Sequence, residues 1–274
     1  MTVEFARTQQ RLATEQYKRD KGTLTEIWWA DWFTEEYILQ HEPITFGSLF
    51  TGIGGMDLGL ERAGLRCKWQ VEVDEFCRKV LTKHWPNVPK YGDIKEVSGD
   101  ELERVDILAG GFPCQDVSNA GKRRGIGGER SGLWSEFARL IRALRPRVVI
   151  VENVPGLLVR GMGNVLGDLA ACGYDAQWDC VPACAVGAEH IRERVFIIAY
   201  PKRAGLEGQG IQNIFASDPP GEDFQVRRLS EPDVVRKRNG IPNYVDRIKG
   251  LGNAVDPRVA QWVGRRVREA FYAR

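Results

Sequence analysis

Gly110-Gly111-Phe112-Pro113-Cys114-Gln115 puts a thiol where a nucleophile can work. The run Val105-Asp106-Ile107-Leu108-Ala109 before it reads as a short buried strand, closed by two glycines and a proline. Cys114 then falls just past a strand's carboxyl end, where open α/β sheets bind ligands. A free cysteine is more often an inert buried residue, so this thiol needs company. Val148-Val149-Ile150-Val151 reads as a second strand and delivers Glu152-Asn153-Val154 to the same sheet edge. A carboxyl beside a thiolate completes a chemistry in which one attacks and the other protonates, or hydrogen-bonds, the atom that gains charge. Alone, Glu152 reads equally as a turn or capping acid. His190-Ile191-Arg192-Glu193-Arg194 precedes a further apolar run, Val195-Phe196-Ile197-Ile198-Ala199. Arginines at i and i+2 entering a strand are expected to point the same way, toward one shared anion or carbonyl. Ordinary surface arginines have the same spacing.

A second group of residues suits a nucleoside. Phe50-Thr51-Gly52-Ile53-Gly54-Gly55 is a glycine-rich turn between a strand and a helix, where backbone approaches a ligand closely and a helix N-terminus favours polar groups. Glu72 lies twenty residues beyond Gly52 at the end of the next strand, a place from which an acid grips ribose hydroxyls. Asp93, in Gly92-Asp93-Ile94, occupies the next such position. A dinucleotide is a poor fit, because Gly-x-Gly-x-x-Gly is incomplete and nothing suggests hydride chemistry.

These residues require a scaffold of alternating strands and helices. Strands are expected at 46–50, 67–73, 105–109, 148–151, near 175–181 and at 195–200, with helices at 56–63, 74–84, 132–144, 162–171 and 258–272. Strands separated by helix-length segments imply right-handed crossovers, a mainly parallel sheet and a doubly wound Rossmann-like α/β fold. The pattern dissolves over 201–249, rich in Gly, Pro, Asn, Asp and Arg, and returns near Gly252. Residues 1–45 differ again: a polar helix-forming stretch, Gly22, then Trp28, Trp29, Trp32, Phe33, Tyr37 and Ile38 at roughly helical spacing, a packing face before anything else.

With 43% hydrophobic and 28% charged residues, the chain has an ordinary globular composition. No uninterrupted apolar run spans a bilayer and Met1-Thr2-Val3-Glu4 lacks a signal pattern, so a cytoplasmic protein without a membrane partner is expected. Net charge is only +2, but 122–147 holds eight basic residues against two acidic, and 258–274 five against one. That asymmetry gives modest support to a polyanionic partner. The six cysteines include no Cys-x-x-Cys pair and the three histidines are scattered, so neither a metal site nor a disulfide framework is expected.

Taken together and in order, these segments resemble the DNA cytosine-5 methyltransferase family. The resemblance is carried by Phe50-Thr51-Gly52-Ile53-Gly54-Gly55, Pro113-Cys114-Gln115, Gly128-Glu129-Arg130-Ser131-Gly132-Leu133-Trp134, Glu152-Asn153-Val154, Arg192-Glu193-Arg194 and Gly252-Asn253-Ala254-Val255. It covers most of 46–200 plus 250–260, and the compact form, with Pro242-Asn243-Tyr244-Val245-Asp246-Arg247 leading to the last motif, is most similar to phage or prophage members.

The resemblance implies transfer of methyl from S-adenosylmethionine to C5 of a cytosine flipped from double-stranded DNA, through a covalent bond from Cys114 to C6. It gives Glu152 the cytosine N3, Arg194 with Arg192 the positioning of the base, and Asn153 the steadying of the active-site loop. For the cofactor it implies Phe50 near the adenine, Glu72 on the ribose and Asp93 on the adenine amino group. Gly52, Ile53, Gly55, Ile94, Pro113, Leu133, Asn253, Ala254 and Val255 complete that pocket. Gln115, Ser118 and Lys122 would meet DNA, and base reading falls to 201–249, with Arg227, Arg228, Arg236 and Arg238 as its candidates.

The implied organisation is an N-terminal helical extension over 1–45 and a catalytic domain over 46–200. A short target-recognition region over 201–249 follows, and 250–274 returns to the catalytic domain. A monomer working in a bacterial or phage-infected cell, in restriction, protection or regulation, fits this picture.

Two positions depart from the pattern. Ser48 stands where the family usually has an acid, and His190 where it usually has glutamine. An RNA-directed enzyme of the same fold is the nearest alternative, but the surroundings of Pro113-Cys114 are more similar to the DNA branch. A non-catalytic DNA-binding protein on a methylase scaffold is the other, against which Cys114, Glu152 and Arg194 all stand.

Overall fold

Apolar runs become the strands of one seven-stranded sheet. The structure, a computed structural model, describes residues 43–113, 132–202, 213–215 and 254–272, nearly all within the compact unit Ile44–Arg274. The strands are β1 (Thr45–Leu49), β2 (Arg66–Val71), β3 (Lys90–Tyr91), β4 (Ile107–Gly110), β5 (Val148–Asn153), β6 (Tyr174–Pro182) and β7 (Glu193–Pro201), in the order β3-β2-β1-β4-β5-β7-β6. Pairings from β3 through to β5 are parallel. Chain order reverses between the neighbours β1 and β4, the kind of switch point that opens a crevice at the strands' carboxyl ends.

Helices cover both faces: α1 (Gly55–Arg62), α2 (Glu75–His84), α3 (Gly132–Leu144), α4 (Leu157–Arg160), α5 (Met162–Ala171) and α6 (Pro257–Tyr272). Alternation along the strands sorts the core into two layers. Leu49, Val71, Leu108, Val149, Val151 and Ile197 pack with Trp134, Phe137, Leu140 and Ile141 of α3 and with Val165 and Leu169 of α5. Phe46, Ile107, Ile150, Phe196 and Ile198 pack with Met56 and Leu60 of α1 and with Val259, Val263 and Val267 of α6. α1 and α6 approach closely because each presents glycine at the crossing. A Cβ on Gly59 would fall 2.4 Å from that of Ala260, and one on Gly264 would fall 2.8 Å from that of Ala63.

Three expectations are corrected. β7 runs antiparallel to both β5 and β6, so the last strands form a hairpin-like edge rather than another crossover. The strand expected at 105–109 begins at Ile107, because Asp106 is a clip: its Oδ2 accepts from both the backbone N–H and the hydroxyl of Thr45, each at 2.9 Å. Glu152 and Asn153 belong to β5 itself rather than following it. Elements too short for a pattern, β3, α4 and a 3₁₀ turn over Ala183–Val186, were not expected.

The segment after β7 is not wholly separate from this body. Ile214 is buried in the α6-side layer. Its backbone N–H donates to Gln177 Oε1 and its carbonyl accepts from Arg266 Nε, both at 2.9 Å.

Candidate active site

The reversed direction of β7 brings two distant segments together. Asn153 and Glu152, at the carboxyl end of β5, pair with Val195 and Phe196 near the amino end of β7. The Arg194 guanidinium therefore reaches the Glu152 carboxyl, Nε to Oε1 at 3.0 Å. Glu152 is only 7% exposed. Burial pushes its carboxyl up to about 7, while the charges of Arg194 and Arg192 pull it part of the way back. Such a group still holds a proton near neutral pH and can hand it to a base.

Glu152 also abuts the start of the cysteine loop. A Cβ on Gly111 would fall 2.5 Å from Glu152 Oε2, so only glycine lets this carboxyl lie against the chain leaving β4. Asn153 holds the next residue: its Nδ2 donates to the Phe112 carbonyl at 3.0 Å, and its Oδ1 accepts from the N–H of Val154 at 2.9 Å. Pro113 is the last described residue before the thiol. Cys114, Gln115, Ser118 and Lys122 lie outside the described residues, as do Arg227, Arg228, Arg236, Arg238 and Asn253.

The two arginines make different direct hydrogen bonds, although the charges of both act on the Glu152 carboxyl. β7 begins at Glu193, and Arg192 precedes it at φ 20°, off the alternation of an extended chain. Its Nη2 donates to the Ala254 carbonyl at 2.7 Å. Arg194 keeps the site's carboxylate, and Arg192 binds the chain entering α6.

On the other side of the switch point, the turn after β1 holds Glu72. Its Oε2 accepts from Gly52 N–H and its Oε1 from Asp74 N–H, both at 2.7 Å. One N–H on each oxygen fixes the carboxylate and leaves lone pairs for a ligand. Gly52 takes φ 58° with open space where its Cβ would be, and Val73, which follows Glu72 in the chain, is 66% exposed. Phe50 lies at φ 52°, its ring 6.3 Å from that of Phe137. The series continues from Phe137 to Trp134 at 5.5 Å and from Trp134 to Phe112 at 5.1 Å, joining the glycine turn to the cysteine loop through aromatic packing. Leu133 packs against this core. Gly55 meets Val255, whose carbonyl lies 2.3 Å from where a Cβ would be. Ile94 is buried, and the half-buried Asp93 accepts from the Lys95 N–H at 3.0 Å.

Sequence reasoning missed Asp57, which is fully buried beneath the glycine turn. It accepts from Ser48 Oγ at 2.9 Å and from Gln70 Nε2 at 2.8 Å, tying α1 to β1 and β2. Burial raises its carboxyl to about 6 against the pull of those hydrogen bonds. An acid one turn into a helix ordinarily reads as a surface complement to the helix dipole. The serine at 48 was the available signal, since a carboxylate stands next to that position after all, supplied from α1.

Several arginines of the basic stretches are engaged by the protein itself, although Arg142, Arg145, Arg147, Arg258 and Arg265 remain exposed. Arg139 donates to the carbonyls of Ile94 and Val97, Arg145 to that of Cys172, Arg266 to that of Ile214 and Arg268 to that of Ala63. Arg147 lies over the Tyr272 ring at 4.8 Å. Among the described residues, no cluster of His, Cys, Asp or Glu could hold a metal ion, and no helix is long and apolar enough to cross a membrane.

Comparison with known proteins converges on one family. The sequence profile of the C-5 cytosine-specific DNA methylases matches residues 44–246. Type II methyltransferase M.BsuFI of Bacillus subtilis is 30% identical over 218 residues, 74% of this chain and 53% of the relative. Type II methyltransferase M.HhaI of Haemophilus parahaemolyticus is 32% identical over 222 residues, 76% of this chain and 67% of the relative. The chain spans about half the length of most of the curated relatives it matches. Among solved structures, the S. pombe Dnmt2 methyltransferase superposes with a TM-score of 0.54 at 18% identity, over 71% of this chain and 61% of that one, a likeness of fold.

Proposed function

We propose that this chain, which belongs to the C-5 cytosine-specific DNA methylase family, transfers a methyl group from S-adenosylmethionine to C5 of cytosine in double-stranded DNA. The observation that carries the proposal is the Glu152–Arg194 pair, a buried carboxyl raised to about 7 that lies against Gly111, where the chain leaves β4 toward Pro113.

The work of each side chain follows from its chemistry. Cys114 attacks C6 of the cytosine as a thiolate, and the electron pair of the C5–C6 bond moves into the ring. Glu152 donates its proton to, or hydrogen-bonds, N3 and stabilises that charge. Arg194 sets the Glu152 carboxyl and meets the base at O2, while Arg192, bound to Ala254, supports it from behind. Asn153 fixes Phe112 and with it the departure of the loop. Loss of the C5 proton to solvent water restores the C5–C6 double bond and expels the Cys114 thiolate, and any proton given to N3 returns to Glu152. The base must leave the stack for the thiolate to approach its ring face, at a cost of roughly a few kcal/mol.

The residues at the β1 and β2 ends suit the methyl donor's adenosine. The Glu72 carboxylate, fixed by two N–H groups, has lone pairs for vicinal ribose hydroxyls. Exposed Val73 and half-buried Phe50 offer apolar faces to a purine, and Gly52 leaves the approach open. Asp93, Ile94, Leu133, Ala254 and Val255, with Ile53 and Asn253, are the remaining candidates for this pocket. Bound S-adenosylmethionine would supply the electrophilic methyl group that C5 takes up.

Base choice falls to the region after β7, where Arg227, Arg228, Arg236 and Arg238 are the candidate readers. Gln115, Ser118 and Lys122 are the candidate DNA contacts of the cysteine loop. The proposal is tested by incubating purified protein with methyl-labelled S-adenosylmethionine and DNA of mixed sequence, with RNA in parallel. Label is expected in DNA, and label in RNA alone would transfer the reading to an RNA substrate.

A further inference from the structure

We propose that His190 is a positioning residue: with Asp256 it clamps the chain that closes the cofactor pocket to the chain that carries Arg192 and Arg194. The proposal rests on the reading of residues 252–255 as part of an S-adenosylmethionine pocket.

His190 Nε2 lies 3.2 Å from Asp256 Oδ2. The same Oδ2 accepts from Arg258 Nη2 at 2.9 Å, Asp256 Oδ1 accepts from the backbone N–H of Arg258 at 2.9 Å and from its Nε at 3.1 Å, and Arg258 Nη1 reaches back to the Gly187 carbonyl at 3.0 Å. Two residues on from His190, Arg192 binds the Ala254 carbonyl. Residues 187–192 and 254–258 are thus tied at three points, although they lie more than sixty positions apart in the chain.

Each side of this tie leads to a different part of the site. Beyond Asp256, the Val255 carbonyl bears directly on Gly55, the residue that starts α1 after the glycine turn. Beyond Arg192, the chain enters β7 and places Arg194 on Glu152. A DNA-contacting role would require His190 to present a nitrogen outward. Its Nε2 is engaged, and its Nδ1 is buried with no hydrogen-bond partner among the described residues. The ring therefore works inward, transmitting the position of one segment to the other.

The test is calorimetric binding of S-adenosylhomocysteine to the full chain without DNA, with melting temperatures taken alongside. His190→Ala is expected to weaken binding about fivefold or more, the loss of one hydrogen bond to a charged partner. His190→Gln, whose amide can still donate to Asp256, is expected to bind like wild type. Asp256→Ala, which also releases Arg258, should weaken binding at least as much, and the double variant should be no weaker than Asp256→Ala alone. The shorter His190→Asn serves the same comparison if the alanine variant does not fold. Unchanged affinity in His190→Ala overturns the clamp, and so does equal weakening in His190→Ala and His190→Gln. Wild type that binds no S-adenosylhomocysteine overturns the cofactor reading itself.

Discussion

At the scale of single residues, Glu152 is two things at once: a buried acid reluctant to ionise, and the ion-pair partner of Arg194. Burial wins, which leaves a proton available near neutral pH. The direction of its pH effect follows. Below about 7 the carboxyl is protonated and can donate to N3, and above it the donor is lost while the thiolate becomes more available. kcat/KM should therefore fall on the alkaline side through the ionisation of Glu152. Glu152→Gln keeps a hydrogen-bond donor but cannot give up a proton. We expect it to lower kcat by about 10²- to 10⁴-fold and to remove that alkaline limb. Identical pH profiles in the two proteins would show that Glu152 does not titrate in the reaction. Of this arrangement, the pairing of an acid with the cysteine loop was legible in Glu152-Asn153-Val154. The partition of the arginines was not, because i, i+2 spacing implies a shared direction only inside an extended strand, and Arg192 lies before it.

At the scale of elements, the glycine turn is held from below by Asp57, which joins α1 to Ser48 of β1 and Gln70 of β2. Its carboxyl is raised from 3.8 to about 6 in the fold, so the folded protein keeps this proton longer than the unfolded chain does. The resulting stability is fully present below about pH 4 and is lost as pH rises through about 6. Asp57→Asn abolishes that loss. Between pH 4 and pH 7 the difference in unfolding free energy should therefore shift in the variant's favour, by up to about 3 kcal/mol. Urea denaturation at the two pH values measures it, and a pH-independent difference would mean that Asp57 ionises freely in the fold.

Most strands and helices were legible because apolar runs and 3.6-residue patterns are long-range signals. Strand direction was not. Residues 195–199 are buried on both faces and read the same either way along the sheet. Only pairing with β5 reveals the antiparallel course that brings Arg194 to the site.

At the scale of the whole molecule, most of the described arginines from the basic stretches bind carbonyls or rings of the protein itself, yet five of them stay exposed, so charge alone does not mark out a nucleic-acid face. The proposed base reading falls to the segment after β7. Arginines that read bases discriminate by about 1–3 kcal/mol per bidentate contact, whereas those on phosphate weaken all sites alike. Single alanine substitutions of Arg227, Arg228, Arg236 and Arg238 are expected to change the methylated motif for at least one variant. Bisulfite sequencing of DNA from cells expressing each variant reads this directly. An unchanged motif in all four would place base reading elsewhere in the chain.

The central claim is that Cys114 forms a bond to C6 of cytosine in DNA. A fluorine at C5 cannot leave as a proton does, so a cytosine carrying it should hold the enzyme after attack. DNA of mixed sequence made with 5-fluorocytosine, incubated with S-adenosylmethionine and the purified chain, is expected to give a complex that survives denaturing electrophoresis. Cys114→Ser, with a hydroxyl that stays protonated, is expected to give none. A wild-type protein that methylates DNA yet leaves no such complex, or a serine variant that forms one as readily, would contradict the account.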